Sequence, residues 1–133
     1  MIPYIIVFLI AFFATPVIYT QFLKSANEQA EEYVEHFDPS TAKLPDGIYH
    51  GQFKRFLITL SNVEFDITKG KVNHLKFTRL FHSPGNQVKN KIERKINDAE
   101  SFDVDAVTGS TRTNNFAKAA IKNAIDQKQK HRI

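Results

Sequence analysis

The chain has 133 residues, 18 basic and 14 acidic side chains, a formal net charge of +4, and neither cysteine nor tryptophan. A chain of this length forms at most one small domain once any membrane segment is subtracted. The lack of cysteine excludes disulfides, thiolate metal sites, cysteine-ligated iron–sulfur clusters and thioether-attached haem. Five glycines and five prolines are too few for a collagen-like or disordered chain.

An apolar stretch opens the chain, and no charged side chain precedes Lys24. A helix of about 22 residues reaches roughly 33 Å, which spans the roughly 30 Å hydrocarbon core of a bilayer. We therefore predict an uncleaved transmembrane anchor over residues 1–23, followed by a helical stalk and linker over residues 24–45. The alternative is a cleaved signal peptide, but its apolar run is usually shorter, with a basic start and an Ala-x-Ala site. Charge alone leaves the orientation of the anchor open, because each end of the apolar stretch has one positive group: the α-amino group before it and Lys24 after it.

Charge is distributed unevenly along the chain. Residues 1–42 carry one lysine and five acids, a balance of −4, whereas residues 43–133 carry 17 basic residues and nine acids, a balance of +8. A basic region suits nucleic acid, an anionic membrane surface or an acidic protein, although a solvated surface is the ordinary explanation. Because the basic residues are scattered and no nucleic-acid-reading motif is present, we expect no nucleic-acid partner.

The rest of the sequence predicts an α+β domain over residues 46–126, with an antiparallel β-meander packed against two amphipathic helices. Residues 48–53 alternate in the manner of a strand, and Val63, Phe65 and Ile67 form the apolar face of another. Residues 68–71 predict a tight turn in which Gly70 takes a positive φ. The chain then returns over residues 72–80, where Leu75 and Phe77 share a face that Val72 does not.

Two later segments show helical periodicity. The first stripe contains Val88, Ile92, Ile96 and Ala99, and the second contains Phe116, Ala120, Ile121, Ala124 and Ile125. Thr113 or Asn114 is the expected N-cap of the second helix. We predict a short extended segment over residues 102–105 and a basic tail over residues 127–133.

Motifs for metal binding and for common catalytic mechanisms are absent from the sequence. The five histidines form no HExxH arrangement, so we expect no metal site. His50 and His74 are predicted on the solvated faces of strands. There is no GxSxG, Walker or GxGxxG motif, and no carboxylate pair stands out as an acid–base couple. We therefore assign no catalytic residues, and hydrolase or kinase activity is not favoured.

Small and hydroxyl-bearing side chains are concentrated in residues 105–113, which read DAVTGSTRT. The ordinary explanation is a turn followed by an N-cap. A glycine-containing turn before a helix also presents unpaired backbone N–H groups at the positive end of the helix dipole. Four hydroxyls and the charge of Arg112 would strengthen such a site, so this segment also suits a phosphorylated cofactor.

The same segment resembles the flavinylation motif of FMN-binding domains, which reads Asp, small residue, any residue, Ser or Thr, Gly, Ala, Thr. That family includes the C subunit of sodium-translocating NADH:quinone reductase and the G subunit of the Rnf complex. The resemblance implies that an FMN transferase, using FAD and Mg²⁺, joins the phosphate of FMN to Thr111. The candidate cofactor-binding residues are Thr111, Asp105, Thr108, Gly109, Ser110, Arg112 and His82.

The resemblance covers residues 46–125. Residues 46–51 look like the Asp-Gly-x-Tyr-x-Gly opening of these domains, residues 63–77 like their central hairpin, and residues 116–125 like their alanine-rich helix. Two positions depart from the pattern. Ser110 replaces the usual Ala and adds a hydroxyl beside the acceptor. His82 begins a His-Ser-Pro-Gly stretch where many members have Glu-Thr-Pro-Gly, which would change the charge near a flavin covered by that loop.

The resemblance implies a single-pass, extracytoplasmic electron carrier of the cell membrane that relays electrons between a membrane dehydrogenase and a reductase or external acceptor. Because the family's transferases act outside the cytoplasm, the soluble domain is expected there. The expected partners are the FMN transferase, membrane electron-transfer proteins and membrane lipid. Two alternatives remain: the same fold without covalent flavin, acting as a binding or assembly module, and a basic tethered domain that contacts anionic lipid or polymer.

Overall fold

The computed structural model describes residues 2–81, 87–107 and 111–130, with the side chains at positions 2, 13, 14 and 130 left out. The helices are α1 (Ile2–Val34), α2 (Val88–Ala99) and α3 (Thr111–Lys130), and the strands are β1 (Gly47–Arg55), β2 (Ile58–Thr68) and β3 (Lys71–Leu80). The strands form one antiparallel sheet in the order β1-β2-β3. This architecture confirms the predicted α+β meander with two packed helices and a preceding apolar helix.

Helix α1 is long and apolar enough to cross a membrane, with a mean hydropathy of 2.1 over its most apolar window. It runs without a break through Pro16 and across the predicted border between anchor and stalk at residue 23. Its later part belongs to the folded domain, because Leu23, Ala26 and Ala30 are buried. Two of these three side chains are methyl groups, so α1 can lie close to α3.

The sheet buries one face of each strand. Val63, Phe65 and Ile67 are buried on β2, as their alternation predicts. The β2–β3 turn has Lys69 at φ 53° and Gly70 at φ 75°, which confirms the predicted positive φ at Gly70.

A β-bulge explains why Val72 is out of phase with Leu75 and Phe77 in the alternation of the sequence. The register between β2 and β3 shifts between Glu64 and Asp66, and His74 adopts a left-handed backbone with φ 56°. The extra residue in β3 reverses the side-chain alternation, so Val72, Leu75 and Phe77 are all buried. Sequence alternation alone has no means of locating such an insertion.

Helix α3 packs on the sheet through the predicted stripe of Phe116, Ala120, Ile121, Ala124 and Ile125, all of which are buried. It runs antiparallel to β1. Phe53 stacks on Phe116 with ring centroids 5.8 Å apart, and Lys128 Nζ donates to the carbonyl of Ile48 at 3.2 Å near the other end of β1. The helix extends through Lys130, beyond the start of the predicted basic tail at residue 127.

Helix α2 covers the outer edge of β3. The Asn97 side chain accepts from the backbone N–H of Leu75 at 2.8 Å and donates to its carbonyl at 3.0 Å. Glu93 Oε1 accepts from the backbone N–H of Phe77 at 2.8 Å. Side chains of α2 therefore satisfy the backbone groups of an edge strand that would otherwise be open to pairing.

Two predictions near the end of α2 are wrong. Ala99 is exposed, because the helix ends there and Glu100 turns the chain away with a left-handed backbone. Phe102 is buried instead, with its ring edge against Phe65 at 5.0 Å between centroids. Residues 102–105 are irregular and not a continuous extended segment, because the backbone N–H of Val104 donates to the carbonyl of Phe102 at 3.0 Å in a local turn. The edge groups of β3 that a further strand would need are bonded by Asn97 and Glu93.

Candidate functional site

The predicted cofactor segment connects α2 to α3, and α3 begins at Thr111. The predicted N-cap at Thr113 or Asn114 is therefore wrong, since both residues lie within the first turn of the helix. Thr108, Gly109, Ser110 and His82 fall outside the described residues. The structure places Asp105, Thr111 and Arg112, and it shows what holds the two sides of the segment.

Thr113 ties the first turn of α3 to the end of the sheet. Its hydroxyl donates to the carbonyl of Phe81 at 3.0 Å, and the residue is 6% exposed. Phe81 directly follows β3 and also packs edge-on against Phe116 at 6.1 Å. The start of α3 is consequently fixed to the core by both a hydrogen bond and an aromatic contact.

Asn114 fixes the N-terminal part of the segment. Its Nδ2 donates to the carbonyl of Val107 at 2.8 Å, and its Oδ1 accepts from the backbone N–H of Val107 at 3.3 Å. The residue is 8% exposed, so this pair of bonds is largely shielded from water. Sequence reasoning considered Asn114 only as a cap. The sequence signal available for this positioning role was an asparagine shortly after Gly109, at the start of the apolar helical stripe.

Thr111 and Arg112 face solvent at the N-terminus of α3. The first turn contains no acidic residue, so the positive end of the helix dipole is not neutralised by a neighbouring carboxylate of that turn. The exposed hydroxyl of Thr111 is accessible to an external enzyme. The Arg112 guanidinium and the backbone N–H groups of the first turn suit a phosphate group attached there.

Asp105 is exposed, and its backbone carbonyl accepts from Lys95 Nζ at 3.2 Å. Beneath it lies an apolar cavity of about 30 Å³ between α2 and α3, lined in part by Phe37, Phe102 and Ile121. Small-molecule sites typically measure about 300–1,000 Å³, so this cavity is too small for an isoalloxazine ring. A flavin ring bound at this segment would therefore lie outside this cavity.

The start of α3 lies at one particular end of the domain, which we name the hairpin pole: the β1–β2 turn at Phe56 and Leu57, the first turn of α3, and α1 near Leu23. Asn115 donates to Asn27 of α1 at 2.9 Å, and Tyr33 of α1 donates to Asp126 of α3 at 2.8 Å. The two helices thus run in the same direction. Thr111, four residues before Asn115, lies about level with Leu23, where the uncharged stretch of α1 ends.

The histidines that the structure describes form no metal centre. His50 and His74 are exposed, as predicted, and lie 4.0 Å from Glu64 and 3.0 Å from Asp66, respectively. Within residues 2–81, 87–107 and 111–130, no group of three or more His, Cys, Asp or Glu side chains could hold a metal ion.

In this small α+β domain, an exposed threonine begins a helix whose first turn carries an arginine and no acidic residue, an arrangement that suits a phosphate group. The sequence profile of the FMN-binding domain family matches residues 49–126, from β1 to α3. The chain therefore belongs to the FMN-binding domain family and is a flavin-binding protein. No curated protein and no solved structure matches it significantly.

Proposed function

We propose that this protein is a membrane-anchored, extracytoplasmic electron carrier whose FMN is joined by a phosphoester to Thr111. The observation that carries the proposal is the exposed position of Thr111 as the first residue of α3, within the flavinylation-like segment of a family member. Bound FMN would supply the redox chemistry, and the protein would supply attachment, orientation and electrostatics.

Attachment is a group transfer that needs an enzyme, because a threonine hydroxyl is a weak nucleophile. The FMN transferase breaks the pyrophosphate of FAD and joins the FMN phosphoryl group to Oγ1 of Thr111. AMP leaves, and the hydroxyl proton is released to a base of the transferase. Asp105 is exposed beside the segment, where the transferase can contact it. Thr113 and Asn114 hold the two sides of the segment in position for that encounter.

The placement of Thr111 supports electron exchange with membrane proteins. Thr111 is at the hairpin pole, about level with Leu23 of α1, and the uncharged stretch of α1 extends from this level. With α1 in the bilayer, the flavin is attached on the side of the domain that faces the membrane. A membrane dehydrogenase can reach it there, and a covalent bond prevents loss of the cofactor outside the cytoplasm.

Intact mass of the protein extracted from its native membrane, combined with in-gel flavin fluorescence after denaturation, tests the proposal. We expect a mass increase of one FMN less one water, as a phosphoester requires, and a fluorescent band, both lost in Thr111→Ala. The matched control is Ser110→Ala, which restores the residue usual in the family and should keep the flavin. An unmodified wild-type mass in a host with an active transferase would contradict covalent attachment. Flavin lost in Ser110→Ala and kept in Thr111→Ala would place the bond on Ser110.

A further inference from the structure

The tip of the β1–β2 hairpin exposes three consecutive apolar side chains: Phe56, Leu57 and Ile58 are 74%, 98% and 52% exposed. Two-residue hairpin turns in water favour Asn-Gly or Asp-Gly, because these residues accept positive φ. Here Phe56 occupies the left-handed region with φ 58°, a conformation that a bulky residue rarely adopts. The turn therefore carries large apolar side chains at a position where its backbone favours glycine.

The hairpin tip lies against the uncharged part of α1. The rings of Phe56 and Phe22 stack with centroids 6.0 Å apart. Beside them, an apolar groove of about 390 Å³ separates α1 from the sheet. Its lining includes Thr15, Ile18 and Phe22 from α1, Ile58 and Leu60 from β2, and Phe81 directly after β3. Thr15 precedes Lys24 by about 13 Å along the helix axis, so the groove extends well beside the uncharged stretch.

Polar and basic residues begin directly above the tip. The Arg55 guanidinium donates to Ser25 Oγ at 2.8 Å and to Gln29 Oε1 at 3.1 Å, and it lies 4.6 Å from the centre of the Phe56 ring. Lys24 and Lys54 are exposed at the same level. An apolar tip below a basic border is the pattern of a segment that enters a membrane interface, with its cations at the headgroups.

We propose that the tip formed by Phe56, Leu57 and Ile58 inserts into the bilayer that holds α1, and that lipid acyl chains fill the groove. This inference rests on the anchoring part of the proposed function and is independent of the flavin. Lipid is the occupant because the exposed surface of the groove is apolar and continues the uncharged stretch of α1. The domain then has a second attachment to the membrane beside α1.

The lack of tryptophan in the chain allows a direct test with single-tryptophan variants of the full-length protein. Leu57→Trp reports on the tip, Ile10→Trp on the middle of the anchor, and Ile48→Trp on an exposed position near the opposite end of β1. Each variant is reconstituted into bilayers with plain or brominated acyl chains. Any quenching by bound flavin is the same in both lipids, so it cancels in the ratio of the emission in brominated lipid to that in plain lipid. We expect brominated lipid to remove most of the emission of Leu57→Trp and Ile10→Trp, with Ile48→Trp unaffected.

Several outcomes would overturn the proposal. If brominated lipid quenches Ile10→Trp but leaves Leu57→Trp as bright as Ile48→Trp, the anchor stands and the tip is outside the bilayer. If neither Ile10→Trp nor Leu57→Trp is quenched, both the anchor and the tip insertion fail. A blue-shifted Leu57→Trp emission that neither brominated lipid nor aqueous acrylamide quenches would show that protein covers the tip, either a second copy or a membrane partner.

Discussion

At the scale of the residue, Thr113 and Asn114 are polar side chains that stabilise the start of α3 beside Thr111. Both are buried, and each bonds a backbone group outside α3: Thr113 at the end of β3 and Asn114 at Val107. Each of these side chains is shielded from water and has a hydrogen-bond partner, as buried polar groups require. The exposed Thr111 and Arg112 are thus presented by neighbours that do not themselves need to contact a cofactor.

Replacing Asn114 tests this positioning role. Asn114→Ala leaves the N–H and carbonyl of Val107 unpaired, and we expect the free energy of unfolding to fall by about 1–3 kcal/mol. Flavinylation should also slow, because the segment before Thr111 is no longer held. Thermal unfolding in detergent and the rate of flavin incorporation measure the two effects. Lys118→Ala, an exposed change on the same helix, is the control; equal behaviour of the two variants would contradict the role.

At the scale of the element, the close approach of α3 to β1 depends on Gly51. A Cβ built on Gly51 would lie 2.2 Å from the carbonyl oxygen of Ala120 and 2.4 Å from the backbone nitrogen of Ala124. Both are backbone atoms, so only a displacement of the helix could make room. The helix carries Thr111 at its start, so this contact also sets where Thr111 lies relative to the sheet.

Gly51→Ala should therefore destabilise the domain strongly. Overpacking usually costs about 1–3 kcal/mol, and we expect the upper end or more because the opposing atoms belong to a helix backbone. Chemical unfolding followed by circular dichroism measures the loss. His50→Ala, an exposed neighbour on the same strand, should change stability by about 0.5 kcal/mol or less. A Gly51→Ala variant as stable as His50→Ala would mean that α3 does not approach β1 this closely.

At the scale of the whole molecule, three separate parts of the chain meet at the hairpin pole. At this pole, Leu23 of α1 is buried against the domain, the β1–β2 turn exposes its apolar tip, and α3 starts with Thr111. The parallel course of α1 and α3 and the antiparallel course of α3 and β1 produce this arrangement. With α1 in a bilayer, Thr111 would lie on the side of the domain that faces the membrane.

This geometry predicts different distances from the membrane for the two ends of α3. Because the chain has no cysteine, Thr111→Cys and Gln127→Cys each provide one labelling site, and both positions are exposed. The sites are separated by about 24 Å along the helix. Energy transfer from the attached dye to a headgroup-labelled lipid should be much stronger for Thr111→Cys. Equal transfer from both sites would contradict a membrane-facing position for Thr111.

Much of the fold was predictable because burial is local and periodic. The alternation at Val63, Phe65 and Ile67 and the helical stripe from Phe116 to Ile125 were assigned correctly, since one face of each element packs on a single core. The exposed end of α2 at Ala99 and the irregular residues 102–105 were not. They depend on where Phe102 packs and on which side chains already occupy the edge of β3, and neither is a property of local sequence.

The sequence alone determined the α+β class, the apolar first helix, the turn at Gly70 and the flavinylation-like segment, because each depends on residue type and spacing over a few turns. Tertiary structure decided the rest. The bulge at His74 places Val72 in the core, and the Asn114 side chain bonds the backbone of Val107. The burial of Ala26 and Ala30 shows that α1 packs against the domain. These features arise from contacts between residues distant in sequence or from a register shift between strands, and a one-dimensional pattern contains no information on such pairings.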